Sequence, residues 1–490
     1  MLKLLQFFQW RSRRIATVSL LGSAVWACFL AAKPVGGGQG AAPVDSAQLA
    51  RFVDSVINAE MTRQHVPGAA FVFVQDGRVV YLKGYGVANV ATAQPVDPAR
   101  TIWRIGSISK LFTATAVVQL ADRGRLDLNT DVNRYLKRLQ VPATYPEPIT
   151  LANLLTHTGG LDEIRPGTQG PDSASVLPLA DFLRPRLVRV RKPGALIAYS
   201  TYGMTLAGEL IEEVSGLPFE RYLADNIWHP LRMDRTNITV PPALKGDVAM
   251  GYEYDNGVQQ PQRWEWYHTT PASSINSTAS DMARWMLMHL QYGRLDGATI
   301  MSERAARDMQ RRHATGHPKI AGFAYGFNEN LVPGFPRFID HGGKVAGFSS
   351  ELLLIPERQA GFFIVHHGEQ ANIADPLKWA ILQRFYEDPA TRLPIPVPSA
   401  SFTSRAQQFV GRYAWDIWCR TCPQSSVSIV FQVSSNPEGT LSINGHKWVE
   451  VEPLYFVRED GKSDLAFGAD STGQIKFMFF GGFWVFERIP

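Results

Sequence analysis

The stretch Trp103-Arg-Ile-Gly-Ser107-Ile-Ser-Lys110-Leu-Phe-Thr-Ala114 carries the first clue to the chain's architecture and chemistry. Gly106 precedes the serine, and from Ser107 to Asp122 apolar residues recur at helical spacing, so a helix is predicted to open at the serine. Ser107 and Lys110 form the only S-x-x-K in the chain. Positions three apart share a helix face, which lets the lysine amine approach the serine hydroxyl. A serine at a helix N-terminus also gains from the positive end of the dipole as alkoxide character develops. A lysine among apolar neighbours loses proton affinity and can take part in proton transfer. Taken alone, the same four residues also fit a helix cap followed by a solvated lysine. The chain has no G-x-S-x-G elbow to offer as a rival nucleophile.

Upstream, Asp45 or Ser46 can cap a helix through Leu49, Phe52, Val53 and Ile57. The runs Ala69–Gln75 and Arg78–Gly84 then flank Asp76-Gly77, a pair favoured in two-residue hairpin turns. Downstream, helical patterns cover Leu151–Leu155, Thr201–Val214 and Thr278–Tyr292. Strand character returns at Phe348–Ile355 and Gly361–His367, and a last helix is expected with Asp375 as its cap. This order predicts an α+β fold, an antiparallel sheet flanked by terminal helices with a helical region inserted between its hairpins.

Beyond this α+β segment, prolines at 389, 394, 396 and 398 mark a stiff linker, 389–401. Residues 402–490 show short β-type runs between Asn-Pro-Glu-Gly, Asp-Gly and Thr-Gly turns, a small all-β domain, barrel or sandwich. At the other end, residues 1–32 hold Lys3, Arg11, Arg13 and Arg14, no acid, and an apolar run from Ile15 to Ala32. That pattern reads as a signal peptide or membrane anchor. The run is short for a spanning helix. Cys28 sits in a weak lipoprotein-like box, so lipidation, cleavage and retention all stay open. Residues 33–44 are a Gly/Ala/Pro-rich flexible spacer, leaving 45–388 as the large domain.

Composition excludes several classes. With 45% hydrophobic and 19% charged residues the chain is neither disordered nor collagen-like, and three cysteines cannot staple a disulfide scaffold or build a four-thiolate zinc site. Four of the five excess positive charges lie in residues 1–32, so the basic balance reports an export segment, not a nucleic-acid face. His366-His367 lacks a ligand spacing, and no metal or other cofactor is expected.

Three further segments, 149–161 (ITLANLLTHTGGL), 199–216 (YSTYGMTLAGELIEEVSG) and 341–350 (HGGKVAGFSS), follow the serine in an ordered series. Together with S-x-x-K this series resembles the serine β-lactamase-like hydrolases, a family of class C β-lactamases, DD-peptidases, D-aminopeptidases and esterases. The resemblance covers about residues 45–388. It implies that Ser107 is the acylated nucleophile, Lys110 its activating partner, and Tyr199 the proton shuttle, with the formal base left open between the last two. It further implies an oxyanion hole from the backbone N–H groups of Ser107 and Lys344, with Gly342 and Gly343 letting substrate lie against the strand edge.

Two positions depart from the family pattern. Thr201 stands where an asparagine is usual and loses an amide's paired donor and acceptor. His341 replaces the usual lysine, and a neutral imidazole anchors a substrate carboxylate poorly. The expectation is therefore an exported serine hydrolase acting on esters, amides or peptides, with weak or no β-lactamase activity. The alternative is a non-catalytic or weakly catalytic penicillin-binding-like protein that recognises peptide or peptidoglycan. The expected partner is a small-molecule or peptide substrate, cell-wall-derived ones included. No nucleic acid is expected, and membrane contact is expected only through the N-terminal segment. The location would be periplasmic, membrane-anchored or extracellular. His157 reads as scaffold. Trp103, Trp264, Trp266 and Tyr267 divide between core and cleft wall. Cys419 and Cys422 read as a disulfide in an exported protein, with free thiols the other outcome.

Overall fold

A computed structural model describes residues 44–490 except 165, 418 and 423–428. The expected export segment, Cys28 and the spacer through residue 43 lie outside the described residues. Among those described, no helix is long and apolar enough to cross a membrane.

Helix α1 (Ser46–Gln64) is capped by Asp45, whose side chain accepts from the Gln48 N–H, and its buried stripe is Leu49, Val53 and Ile57. Strands β1 (Gly68–Gln75) and β2 (Arg78–Asn89) follow. Asp76 and Gly77 both take positive φ, 50° and 78°, as a tight hairpin turn with the native strand twist requires. With β3 (Gln94–Pro95), β4 (Asn328–Asn330), β5 (Phe338–Val345), β6 (Phe348–Ile355) and β7 (Ala360–His367), they form a seven-stranded sheet in the order β4-β5-β6-β7-β1-β2-β3. Its pairings are antiparallel, as expected for hairpin connections.

Both central strands, β1 and β7, are buried along their whole length because each face of the sheet is covered. Phe71, Phe73, Phe362 and Ile364 face α1 and the last helix of the domain, α5 (Ala374–Phe385). Val72, Val74, Phe363 and Val365 face the inserted helical region. That region includes α2 (Ser109–Asp122), α3 (Thr201–Ser215) and α4 (Ala279–Leu290). One detail of the expected layout is corrected. Asp375 does not cap α5; the helix starts at Ala374, and the Asn372 side chain accepts the Asp375 N–H. His366 and His367 are fully buried in β7, and no group of three metal-type side chains occurs among the described residues.

The C-terminal domain is a closed barrel, not a sandwich. Its strands are β8 (Gly411–Trp415), β9 (Val430–Asn436), β10 (Thr440–Ile443), β11 (His446–Glu452), β12 (Tyr455–Arg458), β13 (Asp464–Ala469), β14 (Ile475–Phe480) and β15 (Trp484–Ile489). Phe409, Tyr413, Phe456 and Phe467 pack edge-on in its interior, with ring centroids 5.0–5.6 Å apart, so it is filled by side chains. Phe402 and Phe409 come from helical turns that precede the first strand. Cys419 and Cys422 are disulfide-bonded in the loop after β8.

Candidate active site

The serine is held by a short 3-10 turn, Gly106–Ile108, that feeds α2. Gly106 adopts φ +54°, and a Cβ there would stand 2.8 Å from the Lys344 backbone nitrogen. The turn therefore lies backbone to backbone against β5. Gly343 repeats the constraint from the other side, since its Cβ would meet the Ile105 carbonyl oxygen at 2.0 Å. Ser350 on β6 ties the two together by donating to the Ile105 carbonyl at 3.0 Å. Ser109 Oγ donates to the Gly106 carbonyl at 2.6 Å and accepts the Ile275 N–H at 3.0 Å, fixing the turn from below.

Lys110 is completely buried. Its Nζ donates to Ser107 Oγ at 3.0 Å and to the Ala272 carbonyl at 3.0 Å. Burial pushes its pKa down to about 7, and the Glu163 carboxylate opposes that shift. A lysine so placed supplies neutral amine near neutral pH, which a solvated lysine does not. Its Nζ also lies 4.9 Å from the centroid of the Tyr199 ring. The helix-cap reading with a solvated lysine is thereby excluded.

Tyr199 is flanked by two imidazoles, with ring centroids 4.5 Å away for His157 and 5.9 Å for His341. Burial, then the Lys110 charge, pushes the His341 pKa down to about 4. The same causes, with His341 added, hold His157 well below the usual histidine range. His157 Nδ1 accepts the Ser200 N–H at 3.1 Å, tying the turn after 155 to the start of α3. That is the scaffold role expected of it. His341 Nδ1 lies 2.7 Å from the Gly342 carbonyl, which assigns the proton to Nδ1 and leaves Nε2 as an acceptor.

Period-two alternation along β5 puts His341 and Gly343 on the face of the helical region. The Lys344 side chain points away, donating to the Glu369 carbonyl at 2.8 Å, so only its backbone belongs to the site. Ser107, Lys110, Tyr199, His341 and Gly343 are thus gathered in one place. Thr201 sits at the first turn of α3, and its N–H donates to both oxygens of Glu163, at 2.9 and 3.1 Å. Glu163 and the Ala272 carbonyl were not legible as site groups. Nothing in their local pattern separates them from ordinary loop residues. Of the aromatic candidates, Trp103 is fully buried against Phe348 and His367 and belongs to the core. Trp264 and Tyr267 stack on the Arg104 guanidinium.

A serine on a helix-leading turn, with a buried lysine on its hydroxyl, thus sits where an inserted helical region meets an antiparallel sheet. The beta-lactamase family model matches residues 53–384, most of the chain, and the chain belongs to that family. Protein flp of Staphylococcus aureus strain MRSA252 is 25% identical over 324 residues, 64% of this chain and 62% of flp, so the chain spans about three fifths of that relative. A beta-lactamase of Yersinia enterocolitica is 24% identical over 353 residues, 66% of this chain and 88% of the relative. Among solved structures, the octameric penicillin-binding protein homologue from Pyrococcus abyssi aligns with a TM-score of 0.60 and 25% identity. The alignment covers 89% of this chain and all of that one. A match of that extent necessarily runs past residue 384 toward the C-terminal barrel.

Proposed function

We propose that the protein is an exported serine hydrolase that acts through an acyl-enzyme on Ser107. Ser107 Oγ attacks an ester, amide or peptide carbonyl while its proton passes to Lys110 Nζ, directly or by way of Tyr199. The Oγ–C bond forms, and the leaving group departs with a proton returned from the same groups. Water then cleaves the acyl-enzyme by the reverse path. The observation that carries this reading is the 3.0 Å contact between Ser107 Oγ and a buried lysine whose pKa is lowered to about 7.

The substrate is a small ester, amide or peptide, cell-wall-derived peptides included. The Yersinia relative is named a beta-lactamase, but a buried His341 with a pKa near 4 carries no charge at pH 7 to hold a penicillin carboxylate. Penicillin turnover is therefore expected to be poor. A panel of p-nitrophenyl esters, D-amino-acid amides and nitrocefin checks this on wild type and Ser107→Ala. The expected result is ester or amide hydrolysis that disappears in Ser107→Ala, with nitrocefin the slowest. Nitrocefin as the fastest substrate, or activity kept in Ser107→Ala, contradicts it.

A further inference from the structure

The barrel brings up to Tyr199 a residue that lies outside the family-matched segment. The turn between β14 and β15, Gly481–Phe483, is pressed onto the hydrolase domain so closely that a Cβ on Gly482 would meet the Gly322 carbonyl oxygen at 2.0 Å. Its last residue, Phe483, places its ring 5.3 Å from that of Tyr199, edge to face. Phe483 is itself fixed. Trp415 and Trp484 pack on its ring at 5.4 and 5.2 Å, and Trp415 Nε1 donates to its carbonyl at 3.4 Å. Both the Phe483 and Tyr199 rings are only part-buried.

The barrel is also clamped at this rim by charge. Arg191 of the hydrolase domain pairs with Asp416 and Glu487 of the barrel, and Arg420 pairs with the same two carboxylates. Asp162 accepts from the Arg420 and Thr421 N–H groups at 2.8 and 3.0 Å, within the disulfide-closed loop. Asp162 directly precedes Glu163, which holds the start of α3. An apolar seam of Leu196, Ile197, Ile320, Phe323, Tyr455 and Phe479 lies between the two domains.

We propose that Phe483 is a specificity-determining residue, the barrel-side wall of the cleft at Tyr199, selecting substrates with short or flat acyl groups over long or branched ones. This rests on the hydrolase reading above. A fixed aromatic wall excludes bulk by steric overlap and stabilises a flat group by stacking. It acts on the group bound next to Tyr199 and leaves the serine–lysine chemistry alone.

The test compares full-length wild type, Phe483→Ala, Phe483→Leu and Phe431→Ala, the last a similar truncation inside the barrel. Each is assayed with acetyl, hexanoyl, pivaloyl and benzoyl p-nitrophenyl esters, and phosphonylation rates are measured with short- and long-alkyl phosphonate probes. Phe483→Ala should raise the ratio of kcat/KM for hexanoyl and pivaloyl over acetyl esters by about tenfold or more, through KM. Phe483→Leu should do so less, and Phe431→Ala should leave the ratio unchanged. The phosphonate rates should shift in the same order. An unchanged ratio in Phe483→Ala with Ser107-dependent labelling intact overturns this proposal alone, as does an equal shift in Phe431→Ala. Absence of Ser107-dependent labelling in wild type overturns the hydrolase reading, and this proposal with it.

Discussion

Lys110→Met is expected to lower kcat/KM for the best ester by about 10²–10⁴-fold while the protein stays folded, the usual contribution of a positioned proton acceptor. Methionine nearly matches the aliphatic stem of lysine and keeps the buried site filled, so the loss isolates the amine. Lys110→Arg should be equally inactive, because a guanidinium cannot give up its proton. In wild type the rate should rise with pH and level off above about 7, since the buried amine accepts the serine proton only when neutral. Stability follows the same group with a definite sign. Unfolded, this lysine keeps its proton up to its ordinary value of 10.5, whereas in the fold it gives it up near 7. Between those limits the unfolded chain binds more protons, so wild type should gain stability relative to Lys110→Met as pH rises. Kinetics across pH 5–9 and denaturant unfolding at pH 7 and 9.5 check both. An Arg variant with wild-type activity would remove Lys110 from proton transfer.

Gly343→Ala should cost about 10²-fold in kcat/KM and about 1–3 kcal/mol in stability. The new Cβ would have to displace the Ile105 carbonyl, which stands 2.0 Å from its ideal position, and Ser350 Oγ at 2.5 Å. Ile105 leads directly into the serine turn, so the movement is transmitted to Ser107. The neighbouring Gly342→Ala meets only the Glu351 carboxylate at 3.0 Å and the Ser350 carbonyl at 3.7 Å. Its effect on kcat/KM should be much smaller. Equal losses at 342 and 343 would show that the strand edge matters generally, not through the Ile105 contact.

Much of the fold was legible because local signals agreed with one another. The Asp45 cap, the Asp76-Gly77 turn and the alternating or continuous apolar runs each demand one local structure, and their order demands an antiparallel sheet with inserted helices. The start of α5 was misread because Asp375 is a good cap by type. Asn372, three residues earlier, takes that position's N–H instead. Barrel and sandwich could not be separated because closure depends on β8 pairing with β15 across the whole domain, which leaves no local trace. In the site, Ser107, Lys110, Tyr199 and His341 were legible as motif residues. Lys110's burial, Glu163's hold on Thr201 and Phe483's approach to Tyr199 were not. Each arises from packing between segments far apart in sequence.

The central claim is that Ser107 is the nucleophile and Lys110 its proton acceptor. Intact-protein mass spectrometry after exposure to a fluorophosphonate tests it most directly, with peptide mapping of the adduct and labelling rates taken from pH 5 to 9. The account predicts a single adduct on Ser107, absent in Ser107→Ala, forming faster as pH rises through about 7. No adduct in wild type, or one that persists in Ser107→Ala, would contradict it.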